Sequence, residues 1–324
     1  MSIHTSISAL QDYLRCPALY FFRYVQKLEG ASSYPMLCGK AVHEFIVNMI
    51  RKRPEGRKFY YKTLDSALGG WIYKWRSTLL QKGAFLLEPN KSEEWKFKAI
   101  GSTCISNYWA ANISKPDPLK LEDRKRINLF AGMDLVAVAD QIRAVNPDVI
   151  ARYRPDLMSG GQLHPDYNPE VIIDLKTTLT DFDKKQETSD LAKAGSQHHL
   201  ASSIQATAYT RAYRQFNGKW PIGFFFYMLY RNQFFFVSAD DDEKQVELDN
   251  HVHHLLRNLK DESFPKASDP IKCRYCGYLK ECVGEKGVVI SIGTDSPNGP
   301  DVRRIFSRER FNRQPKQLKL PFLK

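Results

Sequence analysis

The sequence predicts an α/β fold: a mixed sheet flanked by helices, with a helical insertion before it and a cysteine cluster after it. Three observations carry this expectation. Apolar residues recur at helical spacing through much of the first 113 positions. Short runs rich in β-branched and aromatic residues then appear at 130–139, 171–178, 222–230 and 233–238, with a helical run at 197–216 between them. Three thiols, Cys273, Cys276 and Cys282, fall within ten positions. The order is helices, strand, strand, helix, strand, strand, helix, which suits a sheet covered by helices.

Residues 6–28 read as a helix, with Ser8 and Gln11 spaced as a capping box and Pro17 expected to bend or restart it. A second helix is expected over 39–50, where Val42, Phe45, Ile46 and Met49 share one face. Residues 59–113 carry Trp, Tyr, Phe and Lys at helical spacings and read as a helical subdomain. Phe130 to Ala139 reads as a strand, and 144–170, rich in Pro, Asp, Gly and Asn, as an inserted loop. Val171 to Thr178 is a second strand, 179–196 a polar loop, and 197–216 a helix. Ile222 to Tyr230 and Gln233 to Ser238 form a hairpin across Arg231 and Asn232, followed by a helix over 244–260. The expected organisation is 1–30 as an N-terminal helix, 31–128 as a helical subdomain, 129–284 as the core, and 285–324 as a flexible tail. That tail carries nine basic and four acidic residues, and its composition cannot bury a core of its own.

Composition narrows the function. The chain has 324 residues, 43% of them hydrophobic and 26% charged, so it can bury a sizeable core. A net charge of +12 favours a polyanionic partner, nucleic acid before a membrane surface. The longest strongly apolar run, 222–230, is too short to cross a bilayer, and the first residues lack the pattern of a secretory signal. A cytoplasmic location is expected, and clustered thiols in a reducing compartment point to metal before disulfide. There is no internal repeat, which excludes solenoids and propellers.

Asp174 and Lys176 sit in an apolar run, and on a strand they share one face with Ile172, while Val171, Ile173 and Leu175 share the other. A buried carboxylate and ammonium are costly unless they face a cleft or an ion. Asp134, between Met133 and Leu135, poses the same question on the other strand. Two such aspartates converging would form a hard-oxygen site suited to magnesium or manganese, with a lysine to serve an attacking water. The competing reading is a structural Asp–Lys ion pair. His43, four positions after Gly39, could complete a metal site or be an ordinary helix histidine. Gln205 and Tyr209, at i and i+4, could grip a nucleotide or pack as a half-buried helix face. Trp71, Trp75, Trp95 and Trp109 fit a helix core better than a base-stacking platform. The cysteine trio needs a fourth ligand, for which Cys16 is the candidate; zinc and an iron–sulfur cluster both remain open. Cys38 and Cys104 read as plain thiols.

Taken in order, these residues resemble the RecB-like and AddB-like nucleases of the PD-(D/E)XK superfamily, including the nuclease of CRISPR spacer acquisition. The resemblance runs through Cys16-Pro17, Gly39 with His43, Gly132 with Asp134, Asp174-Leu175-Lys176-Thr177, Gln205 with Tyr209, and the cysteine trio, over roughly residues 5–284. It implies a restriction-endonuclease-like fold and a metal-dependent DNA nuclease, an exonuclease on single-stranded or unwound ends. It implies that His43, Asp134, Asp174 and the Leu175 carbonyl hold the metal, that Lys176 serves the water, and that Gln205 and Tyr209 touch the DNA strand. It implies further that Cys16, Cys273, Cys276 and Cys282 carry a 4Fe-4S cluster, with zinc as the alternative. Two features depart from the family: Thr177-Thr178-Leu179-Thr180 follows the lysine, and the insertion at 144–170 is long. No phosphate-cradling G-x-x-x-x-G-K-[ST] motif is present, so any motor would come from a partner helicase. At the end, Gln317, Leu318, Leu320 and Phe322 resemble the short peptide by which bacterial replication and repair proteins bind the sliding clamp. That resemblance implies a bacterial or phage protein. A non-catalytic DNA-binding subunit and a zinc-bound adaptor recruited to the clamp are the rival readings.

Overall fold

The computed structural model describes residues 3–82, 86, 89–130, 133–177, 204–238, 240–266, 273 and 276–283. The expectations for 179–196 and for the tail from 285, with its clamp-like peptide, lie outside the described residues.

The N-terminal segment is not one helix. It begins with a strand, β1 (Ile3–Ser6), which runs into α1 (Ile7–Arg15). Ser6, rather than Ser8, caps α1, accepting a hydrogen bond from the Ala9 amide at 3.1 Å. Cys16 is extended, Pro17 restarts the chain as α2 (Pro17–Tyr20), and a π-helical turn follows at Phe21–Val25. Three long helices come next: α3 (Tyr34–Arg51), α4 (Leu64–Lys82) and α5 (Lys91–Asn112). Trp71 and Trp75 are fully buried between them and stack at 5.9 Å, which answers the aromatic pattern of this region as core. Truncating a tryptophan in such a place costs about 3–5 kcal/mol. Trp95 differs: it is 64% exposed, with the Lys98 ammonium 3.3 Å from its ring centroid.

The sheet is built from β1, β2 (Lys120–Phe130), β3 (Met133–Ala144), β6 (Tyr167–Lys176), β7 (Trp220–Met228) and β8 (Gln233–Ser238). β2 was not expected; its alternation of charged residues hides a strand that is half exposed. It also spans the division expected at 128/129. Between β3 and β6 the insertion is not an irregular loop. It folds as α6 (Pro147–Tyr153), a short 3-10 turn (Pro155–Leu157) and a small hairpin of β4 (Met158–Ser159) and β5 (Gln162–Leu163). After β6 come α7 (Ile204–Asn217), then the β7–β8 hairpin, α8 (Asp242–Lys260) and α9 (Leu279–Val283).

β3 is the organising strand. One side pairs antiparallel with β2 along its length. The other is shared: β1 pairs in parallel with Met133 to Val136, and β6 pairs antiparallel with Gln141 to Ala144. Residues 137–140 lie in the gap between those two partners. β6 and β7 are parallel, so the sheet is mixed.

Each face of the sheet covers a core. On one side α3, α4 and α5 pack over Val171, Ile173, Leu175 and Phe225. On the other, α1, α7 and α8 pack over Ile172, Phe224, Phe226 and Leu135. Buried residues on both faces of β6 and β7 explain their nearly continuous apolar sequence. The insertion is tied to this frame by Arg154, only 7% exposed. Its guanidinium bonds Asp240 at 2.8 and 2.9 Å, Asp156, the Ser238 hydroxyl and the Ile222 carbonyl. Burial opposes ionisation of Asp240, but hydrogen bonds from Ser238, Tyr167 and Arg154 prevail and hold its carboxyl at about 2.

Candidate active site and cysteine cavity

The gap beside β3 is where the charged residues meet. Asp174, near the C-terminal end of β6, is 4% exposed. Its Oδ2 lies 2.7 Å from the Lys176 ammonium, and its Oδ1 accepts a hydrogen bond from the Gln205 amide at 2.6 Å. Lys176 in turn donates to Gln205 Oε1 at 2.9 Å. Alternation on β6 puts Asp174 and Lys176 on one face, and α7 lays Gln205 across both. Gln11 of α1 approaches the same Gln205 oxygen at 3.5 Å.

The second carboxylate is Asp140, not Asp134. Asp140 Oδ2 accepts from the Leu175 backbone amide at 2.8 Å, and its Oδ1 lies 3.1 Å from His43 Nε2. Asp134 is six positions earlier on β3, about 20 Å away at the rise of a strand. It pairs in register with His4 and Asn128, and its Oδ1 accepts from the Asn128 amide at 3.1 Å. The expected strand stopped at Ala139, one residue short of the acid that reaches the site; β3 runs on to Ala144. Side-chain alternation also slips there. Met133, Leu135, Ala137 and Ala139 face one core, Gln141 turns to Tyr108 in the other, and Ile142 rejoins the first. A simple period-two reading therefore misplaces whatever follows Ala139.

His43 reaches the gap because α3 packs close to the end of β6. A Cβ on Gly39 would stand 3.1 Å from the Thr177 hydroxyl, so a residue without one allows this approach, and His43 lies one turn further on. Burial works against a charged His43, but its Asp140 partner, with Glu122 and Asp174 nearby, raises its pKa above the ordinary value. Burial pushes the Asp174 carboxyl up to about 6; Lys176 and His43 pull it down, and Asp140 adds to the rise. Tyr209 is buried, stacked on Phe224 at 5.8 Å and 3.4 Å from the Gln205 amide. Burial, then the Asp174 charge, raises its phenol.

Two buried polar atoms in this group, His43 Nε2 and Asp174 Oδ2, lack a well-directed hydrogen-bond partner despite their close charged neighbours. Buried polar atoms whose hydrogen-bonding capacity is only partly met are costly in a folded chain. The donor chemistry, two carboxylates and an imidazole, suits a divalent cation such as magnesium or manganese. Among the described residues, no group of three or more His, Cys, Asp or Glu side chains stands close enough together to hold a metal ion as placed.

The cysteines meet elsewhere. Cys16, Cys273, Cys276 and Cys282 line one small cavity together with Arg15 and Lys266. Cys16 reaches it through the extended break between α1 and α2. Loop contacts bring the C-terminal segment alongside: Ala31 N donates to Gly277 O at 3.0 Å, and the Tyr278 hydroxyl donates to Leu28 O at 2.9 Å. Lys266 donates to Cys282 O at 2.6 Å. Gly277 permits this packing, since a Cβ there would stand 2.3 Å from Ala31 O. Burial raises the thiols of Cys276 and Cys282. Cys38 and Cys104 are buried within the helical core, and burial alone lifts Cys38 to about 12. Such thiols are inert.

The described residues contain no helix long and apolar enough to cross a membrane. No curated protein matches the sequence. The PD-(D/E)XK nuclease superfamily matches residues 4–143 and 167–283, passing over the stretch that holds α6 and the β4–β5 hairpin. The mixed sheet with helices on both faces is consistent with that assignment. With most of its length matched, the chain belongs to the PD-(D/E)XK nuclease superfamily.

Proposed function

We propose that the protein is a divalent-metal-dependent deoxyribonuclease, acting as an exonuclease on single-stranded or unwound ends in repair, recombination or replication. One observation carries the reading. Asp140, Asp174, Lys176 and His43 converge on the gap beside β3, and two of their buried polar atoms have no well-directed partner. Asp140, Asp174, the His43 imidazole and the Leu175 carbonyl would hold the cation. Bound magnesium or manganese supplies Lewis-acid chemistry, polarising the scissile phosphate and lowering the pKa of water.

The chain's own residues do the rest. Lys176 orients the attacking water and balances charge developing on the phosphodiester. Gln205 holds Asp174 and Lys176 in place, and Tyr209 braces Gln205 from the next turn of α7. The basic surplus supports DNA as substrate through phosphate contacts. Exposed Trp95 with Lys98 over its ring suits stacking on an unpaired base. The preference for ends rests on the resemblance to RecB-like and AddB-like nucleases.

The four cysteines would hold a 4Fe-4S cluster that staples the N- and C-terminal ends of the domain; their shared cavity supports this. The terminal peptide with Gln317, Leu318, Leu320 and Phe322 would tether the enzyme to a bacterial sliding clamp, and a helicase would supply unwound ends.

Anaerobically purified protein, assayed on end-labelled single and double strands with manganese or with EDTA, tests the reading. Cleavage that EDTA abolishes is expected. Binding without cleavage would make the chain a non-catalytic DNA-binding subunit. A brown protein absorbing near ~400 nm is expected of thiolate–iron chromophores; a colourless one with stoichiometric zinc would make the cysteine site zinc-bound.

A further inference from the structure

Glu122 lies inside β2 with a φ of +47°. The other non-glycine residues with positive φ among those described have ordinary reasons for it. Lys27 follows the π-helical turn, Asn232 turns the β7–β8 hairpin, and Glu262 follows the end of α8. A glutamate in the left-handed region in mid-strand is strained, and such strain persists only where the surroundings impose it.

The position is specific. β2 and β3 pair as Leu121 with Gln141 and Asp123 with Ala139, which leaves Glu122 facing Asp140 at a break in the ladder. This is the place where β3 slips in its alternation. β2 slips with it: Ile127 faces one core and Leu121 packs against the other. On α3, His43 and Arg51 are two turns apart on the same face. His43 meets Asp140 at 3.1 Å, and Arg51 meets Glu122 at 2.7 Å and the Leu121 carbonyl at 3.3 Å. Two charge pairs thus run side by side from one helix to the two strands. Glu122 also contributes to the raised pKa of His43, so its charge is felt at the gap.

We infer that Glu122 is a positioning residue of the cation site and not a ligand: its strained backbone and Arg51 partner fix its charge at the strand position opposite Asp140. This rests on the metal-dependent reading above. Its added negative charge draws a divalent cation to donors that are two carboxylates and one imidazole.

The test is manganese binding by calorimetry, together with thermal unfolding in EDTA, on the full chain. Glu122→Gly should weaken manganese affinity about tenfold. Glycine takes the same φ without strain, so its Tm in EDTA should stay level or rise by about 2 °C. Glu122→Gln keeps the side-chain length but not the charge, and should weaken binding to the same extent without the gain in Tm. Normal manganese affinity in Glu122→Gln overturns the inference, whatever Glu122→Gly does to folding. If Asp140→Asn abolishes binding while both Glu122 variants match wild type, the inference fails and the metal reading stands. If wild type itself binds no manganese, the metal reading fails and takes this inference with it.

Discussion

Asp140, Asp174 and Lys176 are carried by neighbouring strands, whereas the four cysteines sit on segments with no ladder between them. Ladder hydrogen bonds and two buried cores place the first group. A few loop contacts place the second: Ala31 to Gly277, Tyr278 to Leu28, Lys266 to Cys282. Each site takes its precision from a different source. The sheet would hold its acids in place without any cation. Cys16 and Cys273 stand 257 positions apart in the chain, and among the described residues those loop contacts bring their segments together.

The comparison can be broken most sharply at the carboxylate site. Asp174→Ala and Lys176→Ala should each bind DNA but cut it roughly 10³-fold more slowly. Circular dichroism and end-labelled cleavage assays check both halves, and cleavage at the wild-type rate would remove the site from the chemistry. Asp140→Asn should lose about 100-fold in cleavage rate, whereas Asp134→Asn should stay within about twofold, since only the former lies at the gap.

The cysteine end should respond in stability before rate. Cys16→Ser is expected to lose the proposed cluster and with it a long-loop constraint worth on the order of 5 kcal/mol. Denaturant unfolding of the anaerobic proteins measures this; an unchanged midpoint would mean that loop contacts alone hold the ends together.

A pH series in EDTA sharpens the contrast from the other side. The folded-state pKa of Asp174 is raised from 3.8 to about 6, so the unfolded chain releases that proton first. Stability from this group is therefore lost as pH rises from the unfolded value toward the folded one. His43, also raised, contributes stability that is full below its unfolded value of 6.5 and is lost as pH rises through its folded value. Both slopes have the same sign. Metal-free protein should show a falling Tm from about pH 4 upward, and Asp174→Asn should flatten the lower part of that curve. A modest effect is expected at Gly39→Ala, where the new methyl presses on Thr177 and displaces His43, costing a few-fold in cleavage.

Much of this was legible in the residues themselves. Asp174 and Lys176 stand out because ionisable groups interrupt an apolar run, and the hairpin around Asn232 follows from alternation and turn chemistry. Gly39 and His43 were legible as a pair, although the reason, the approach of Thr177, needed the fold. Asp140 was not legible. The alternation of β3 slips at that residue, and no local pattern tells which aspartate of the run meets a partner brought in from thirty positions away. β2 was missed because its exposed charges mask its period. The ordered helix inside the 144–170 insertion was missed because Pro and Asn, which break helices, here begin one: Asn146 caps α6 and Pro147 occupies its first turn.

Arg154 gives that insertion a consequence for anyone shortening the chain. The superfamily match passes over 144–166, which invites its deletion as dispensable sequence. Yet excision would strip Asp240 of its guanidinium partner and leave the Ile222 carbonyl without a donor that now reaches it. A trimmed variant would have to import a substitute cation at the same spot, or swap Asp240 for a neutral residue, before the β7–β8 corner could close.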